Sequence, residues 1–206
     1  MRLFVFLAVI FLQMQTVLAG TLSVLVLGDS LSAGHGLGPP EAFTVKLEAA
    51  LRARGHDVKI VNAGISGDTA AAGLARLDWS LDGSIDAVIV ELGANDALRG
   101  LPVAQAEQAL DQILAKLGER KLPVLLAGMQ APRNMGAEYA ATFDPIYARL
   151  AEKHGSLLYP FFLEGVAVDP GLNQPDGLHP NGRGVDVIVG RILPYVEKLL
   201  GKAAAK

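Results

Sequence analysis

Five short apolar runs, each separated from the next by a stretch with helical spacing, constrain the fold of this 206-residue chain more than any other feature. The runs are Thr21–Leu27, Asp57–Val61, Asp86–Leu92, Pro123–Ala127 and Ser156–Tyr159. The first and third are nearly continuous in Val, Leu and Ile rather than alternating, as strands buried on both faces are. Between the runs, Phe43, Leu47, Ala50 and Leu51 form a helical stripe within Glu41–Arg54, closed by Gly55. Further helices are predicted from a start at Ser66–Thr69 to Leu77, from Pro102 to about Glu119, over Ala137–His154 and over Gly182–Leu200. Pro145 should kink or divide its helix, Pro194 is a second irregularity, and Gly201–Lys206 reads as a frayed tail. Strands alternating with helices predict an α/β fold: a central, mostly parallel five-stranded sheet with helices on both faces, in three layers.

In such a sheet, ligands bind outside the carboxyl ends of the strands. Four distinctive segments fall there: Gly28-Asp29-Ser30-Leu31-Ser32, Gly64 within Asn62–Thr69, Gly93-Ala94-Asn95-Asp96, and the loop Met129–Asn134. A fifth, Asp176-Gly177-Leu178-His179-Pro180, lies near the other end of the chain. Serine is a poor nucleophile unless a base takes its proton, and histidine suits that task near neutral pH. The base needs a carboxylate on its other ring nitrogen to fix tautomer and orientation. Asp176 and His179 are too close in sequence to sit on separate elements. Gly177 permits unusual backbone angles and Pro180 disfavours helix at His179, so one compact turn can aim both side chains at Ser30. This reading predicts acyl-bond cleavage through an acyl-serine.

Other chemistries find little support. The formal net charge is −3 with no basic block, which argues against nucleic-acid binding. The four histidines are scattered, and there is no HExxH, CxxC or Walker A segment, so neither a metal nor another cofactor is expected. Gly34-His35-Gly36-Leu37-Gly38 lacks the third glycine of a dinucleotide loop.

Residues 1–19 read as a secretory signal peptide, and 20–206 as the single folded domain. Arg2 supplies a short positive segment, Leu3–Leu12 an apolar run of ten residues, and Val17-Leu18-Ala19 the approach to a cut before Gly20. An uncleaved anchor is the alternative, but the run is short of the roughly 20 residues a spanning helix needs. Removal of Arg2 leaves 17 basic and 21 acidic side chains, a balance of −4. A secreted or periplasmic protein without stable membrane insertion is expected. With no cysteine it must stand on its core without disulfides. No heptad pattern speaks for an oligomer, so a monomer is the default.

Together, Gly28–Ser32, Asn62–Thr69, Gly93–Asp96 and Asp176–Pro180 resemble the SGNH (GDSL-type) hydrolases in order, spacing and placement. The resemblance spans nearly the whole chain after residue 19, nearest the secreted bacterial acyl-CoA thioesterase I, lysophospholipase L1 and arylesterase subgroup. It implies a flavodoxin-like fold, with Ser30 as nucleophile, His179 as general base and then acid, and Asp176 orienting His179. It also implies an oxyanion hole built from the backbone N–H groups of Ser30 and Gly64 and the side-chain amide of Asn95. The implied substrate is a small carboxylic ester or thioester, lipid-derived esters among them. A carbohydrate O-acetyl esterase on the same scaffold is the nearest rival, and a non-catalytic binding module another.

The remaining residues have plainer readings. Asp29 is expected to brace the turn at Ser30, Asp96 to be structural, and Asp68 and Thr69 to start a helix. His35, His56 and His154 read as surface or loop residues. Trp79 reads as packing, and Tyr139, Phe143 and Tyr147 as core. Leu98, Leu101, Met129, Pro132 and Met135 are candidates for an acyl pocket or for closing the core.

Overall fold

A computed structural model describes residues 20–81 and 83–205. The segment 1–19, read above as a signal peptide, lies outside the described residues.

Five strands form one sheet: β1 (Leu22–Gly28), β2 (Val58–Gly64), β3 (Ala87–Glu91), β4 (Val124–Ala127) and β5 (Leu157–Tyr159). Their order is β2-β1-β3-β4-β5, and every neighbouring pair is parallel. The continuous apolar runs have the burial they require: Val24–Leu27 and Val88–Val90 are wholly inaccessible. The order reverses direction after β1, so β1 and β3 diverge into their helices beside the point where a ligand crevice opens.

Among the described residues, eight α-helices connect and flank the strands: α1 (Ser30–Ala33), α2 (Phe43–Ala53), α3 (Ala70–Ser80), α4 (Ala94–Leu98), α5 (Val103–Glu119), α6 (Ala137–Phe143), α7 (Ile146–His154) and α8 (Gly182–Ala204). Thr69 caps α3, its side chain accepting from Ala72 N. Pro145 divides its predicted helix outright, into α6 and α7, because its ring cannot donate to the preceding turn.

Three sequence readings need correction. Residues Gly201–Ala204 continue α8, and Ala203 is buried, so that part of the tail is packed rather than frayed. Strand β2 runs three residues further than its apolar pattern, to Gly64, because its backbone stays paired with β1 after its side chains become polar or small. Trp79 is 77% exposed; the buried stripe of α3 is Ala70, Gly73, Leu77 and Ser80, and residue 79 points away from it.

Candidate active site

Strand β1 ends directly in α1, so the chain reverses at Asp29 and presents Ser30 as the first residue of a four-residue helix. Asp29 caps that helix, its Oδ1 accepting from Leu31 N at 3.0 Å, as the bracing reading expects. Two glycines make the turn possible by close approach rather than by torsion. A Cβ on Gly28 would lie 2.6 Å from Glu91 Oε2 and still nearer the Ser32 hydroxyl. A Cβ on Gly64 would lie 2.9 Å from Asp29 O and collide with Ala33 N.

The loop before α8 brings His179 to Ser30. His179 Nε2 lies 2.9 Å from Ser30 Oγ, across 149 residues of sequence. His179 Nδ1 lies 2.7 Å from Asp176 Oδ2. With Nδ1–H donating to the carboxylate, Nε2 is left to accept from the serine hydroxyl. Gly177 adopts φ +69°, the left-handed angle that folds acid and base onto each other within four residues. Asp176 Oδ1 accepts from the backbone N–H groups of Leu178 and His179 at 2.9 and 3.0 Å. Those two bonds, the His179 N–H first, and then the imidazole hold the Asp176 pKa down to about 2, so it is ionised at any working pH. The loop is anchored behind: Asn173 Nδ2 donates to Val166 O and Asp169 O, and Asn181 caps α8 by accepting from Arg183 N and Gly184 N.

Of the three expected oxyanion donors, two are engaged. Gly64 N–H donates to Asn62 Oδ1 at 2.9 Å. The Asn95 amide donates to Asp29 Oδ2 and to Asp68 O, each at 3.0 Å. Asp96, beside it, is buried and accepts from Ala70 N at 2.8 Å, the structural role expected of it. Helix α4, which carries Asn95, is held at its two flanks by Tyr147, which donates to Leu92 O at 3.0 Å, and Tyr139, which donates to Leu101 O at 2.9 Å.

Beneath Ser30 lies a carboxyl group that was not singled out in the sequence. Glu91 is fully buried at the end of β3; its Oε2 accepts from Ser32 Oγ at 2.6 Å and Asp29 N at 3.3 Å, while Oε1 has no partner among the described residues. Burial, and then the nearby Asp29 charge, push the Glu91 pKa well up, towards the neutral form. Burial also raises Asp29, to about 6. Arg76 donates to Asp68 at 2.6 Å and to Gly28 O at 2.9 Å, fixing the end of β1. A polar residue closing the run Ala87-Val88-Ile89-Val90 was the signal that could have found Glu91.

Other expectations are met or amended by burial. Phe143 and Tyr147 are core; His56 faces Glu197 at the surface, whereas His154, the last residue of α7, is largely buried against Asp111. Met129 is 2% exposed within the core, so it closes the core, whereas Leu98 is open to solvent. Among the described residues no cluster of His, Cys, Asp or Glu could hold a metal ion.

A parallel α/β sheet with serine, histidine and carboxylate in hydrogen-bonded sequence at its carboxyl edge defines a hydrolase of the nucleophilic-serine class. The GDSL-like Lipase/Acylhydrolase family matches residues 26–187, and the chain belongs to that family. Esterase TesA of Pseudomonas aeruginosa is 40% identical over 195 residues, 94% of this chain and 96% of the relative. Thioesterase 1/protease 1/lysophospholipase L1 of Escherichia coli is 41% identical over 177 residues, 85% of this chain and 83% of the relative. The crystal structure of AlinE4, an SGNH-hydrolase family esterase, superposes with a TM-score of 0.75 at 50% identity, covering 88% of this chain and 98% of that one.

Proposed function

We propose that this chain hydrolyses small carboxylic esters and thioesters through an acyl-Ser30 intermediate, outside the cytoplasm, after removal of residues 1–19. The observation that carries the reading is the unbroken path from Asp176 through His179 to Ser30, at 2.7 and 2.9 Å. A binding module has no use for a serine whose proton is already aimed at a base.

Ser30 Oγ attacks the acyl carbon as His179 Nε2 takes its proton, and Asp176 stabilises the imidazolium that forms. The developing oxyanion draws on Ser30 N–H, Gly64 N–H and the Asn95 amide. Gly64 must exchange Asn62 Oδ1 for it, and Asn95 must exchange one of its two acceptors. A charged oxygen is a stronger acceptor than the neutral Asn62 Oδ1 and Asp68 O, so giving up those two bonds favours the transition state over the resting enzyme. The tetrahedral intermediate collapses, His179 returns the proton to the leaving oxygen or sulfur, and a water activated by the same base releases the acid. Export is supported by the pattern of residues 1–19; among the described residues no helix is long and apolar enough to cross a membrane.

The test is hydrolysis of p-nitrophenyl esters of increasing acyl length, with Ser30→Ala beside the unaltered enzyme. Turnover falling by about 10³-fold or more in the variant is expected. Full activity in Ser30→Ala would reject the mechanism, and turnover confined to acetyl esters would favour the carbohydrate O-acetyl esterase.

A further inference from the structure

His179 needs more than its two ring nitrogens to stay aimed. Once the acyl-enzyme forms, Ser30 Oγ no longer offers a proton to Nε2, and the single Nδ1–H bond to Asp176 is a pivot about which the ring can turn. Asp176 is itself held by the backbone N–H groups of Leu178 and His179, but its one bond to Nδ1 does not stop the ring from turning about that bond. The remaining handle on the imidazole is its face.

That face is occupied by a second histidine. The ring of His35 lies 4.5 Å from that of His179, centroid to centroid, with the planes tilted by 41°. The separation falls at the near end of the range in which aromatic rings attract. His35 is exposed, so burial does not explain where its ring lies. Its backbone does. His35 N–H donates to Ser30 O at 3.1 Å, tying it to the residue proposed as nucleophile. Its carbonyl accepts from Gln174 Nε2 at 2.7 Å, and the same nitrogen donates to Pro180 O at 3.0 Å. Gln174 N–H donates in turn to His179 O at 2.7 Å. Gly36 follows at φ +72°, with the Gln174 amide standing where any side chain would be. Residue 35 is thus clamped between the turn that carries the nucleophile and the loop that carries the base, with its ring on the base.

We propose that His35 is a positioning residue: it stacks on His179 and keeps Nε2 of that imidazole directed at the water that attacks the acyl carbon in deacylation, while Gln174 holds His35 in place. The proposal rests on the serine mechanism above. It requires an aromatic ring at position 35, not an imidazole.

The test compares His35→Ala and His35→Phe with the unaltered enzyme on p-nitrophenyl butyrate, with Ser30→Ala alongside. Loss of the ring in His35→Ala should lower kcat about tenfold, as small misplacements of a catalytic group do. KM should stay within about twofold of its original value, and acyl-enzyme should accumulate in quenched samples by intact mass. His35→Phe should restore kcat to within about threefold. A second readout does not depend on turnover: the Nδ1 proton of His179, seen far downfield in the proton spectrum, should exchange faster with water in His35→Ala and be protected again in His35→Phe. Full kcat in His35→Ala, with Ser30→Ala inactive, would overturn this inference and leave the serine mechanism standing. A loss in His35→Phe as large as in His35→Ala, or one that falls on KM, would overturn it by making the imidazole a substrate contact. An active Ser30→Ala would overturn both.

Discussion

Glu91 carries the least expected burden of any residue here. A carboxyl group wholly buried under a serine turn is costly to ionise, and burial accordingly pushes its pKa up. The folded state therefore binds a proton that the unfolded state releases once pH exceeds its ordinary value of 4.5. Stability is lost as pH climbs from there, at no more than about 1.4 kcal/mol per pH unit. Glutamine keeps the shape and removes the titration. The stability of Glu91→Gln relative to the unaltered protein should thus rise between pH 4.5 and 7, read as the difference in Tm at each pH. A difference that stays flat would mean that Glu91 is charged. The meeting of Ser30, Asp176 and His179 was legible because their residue types and turn-forming neighbours are unusual together. Glu91 and Gln174 were not, because a polar residue at a strand end or in a loop looks ordinary until its partners are known.

At the scale of elements, the decisive contact is that of β2 on α1. Strand β2 had to be extended to Gly64, beyond its apolar pattern, for that contact to exist, and main-chain pairing supplied the extension. The Cβ of Gly64→Ala would press on Asp29 O and Ala33 N, both backbone atoms that cannot swing aside. The variant should lose about 1–3 kcal/mol of stability by urea titration. It should lose kcat as well, because the displaced turn carries Ser30. Unaltered kcat in a destabilised Gly64→Ala would remove Gly64 from the oxyanion account. The division of one predicted helix at Pro145 followed from proline's missing donor. The course of α8 through Ala204 did not, because a small alanine shows no periodic stripe; only the packing of Ala203 reveals it.

At the scale of the whole molecule, five parallel strands bring turns distant in sequence to one edge, so residues 30 and 179 meet. This was the most legible level, since strand–helix alternation and continuous apolar runs leave few topologies. What stayed hidden was the resting state of the donors: the commitments of Gly64 to Asn62 and of Asn95 to Asp29 and Asp68 are tertiary facts with no local signature. Export also belongs to this scale. The protein recovered from outside the cytoplasm should begin at Gly20 by N-terminal sequencing; recovery of an intact N-terminus would favour the uncleaved anchor. The central claim is that Ser30 becomes acylated because His179 makes it nucleophilic. Trapping with a fluorophosphonate, followed by intact-mass and peptide analysis, tests it most directly. One adduct on Ser30 is expected, absent in Ser30→Ala and strongly slowed in His179→Ala. An unlabelled enzyme, or label on another residue, would contradict the account.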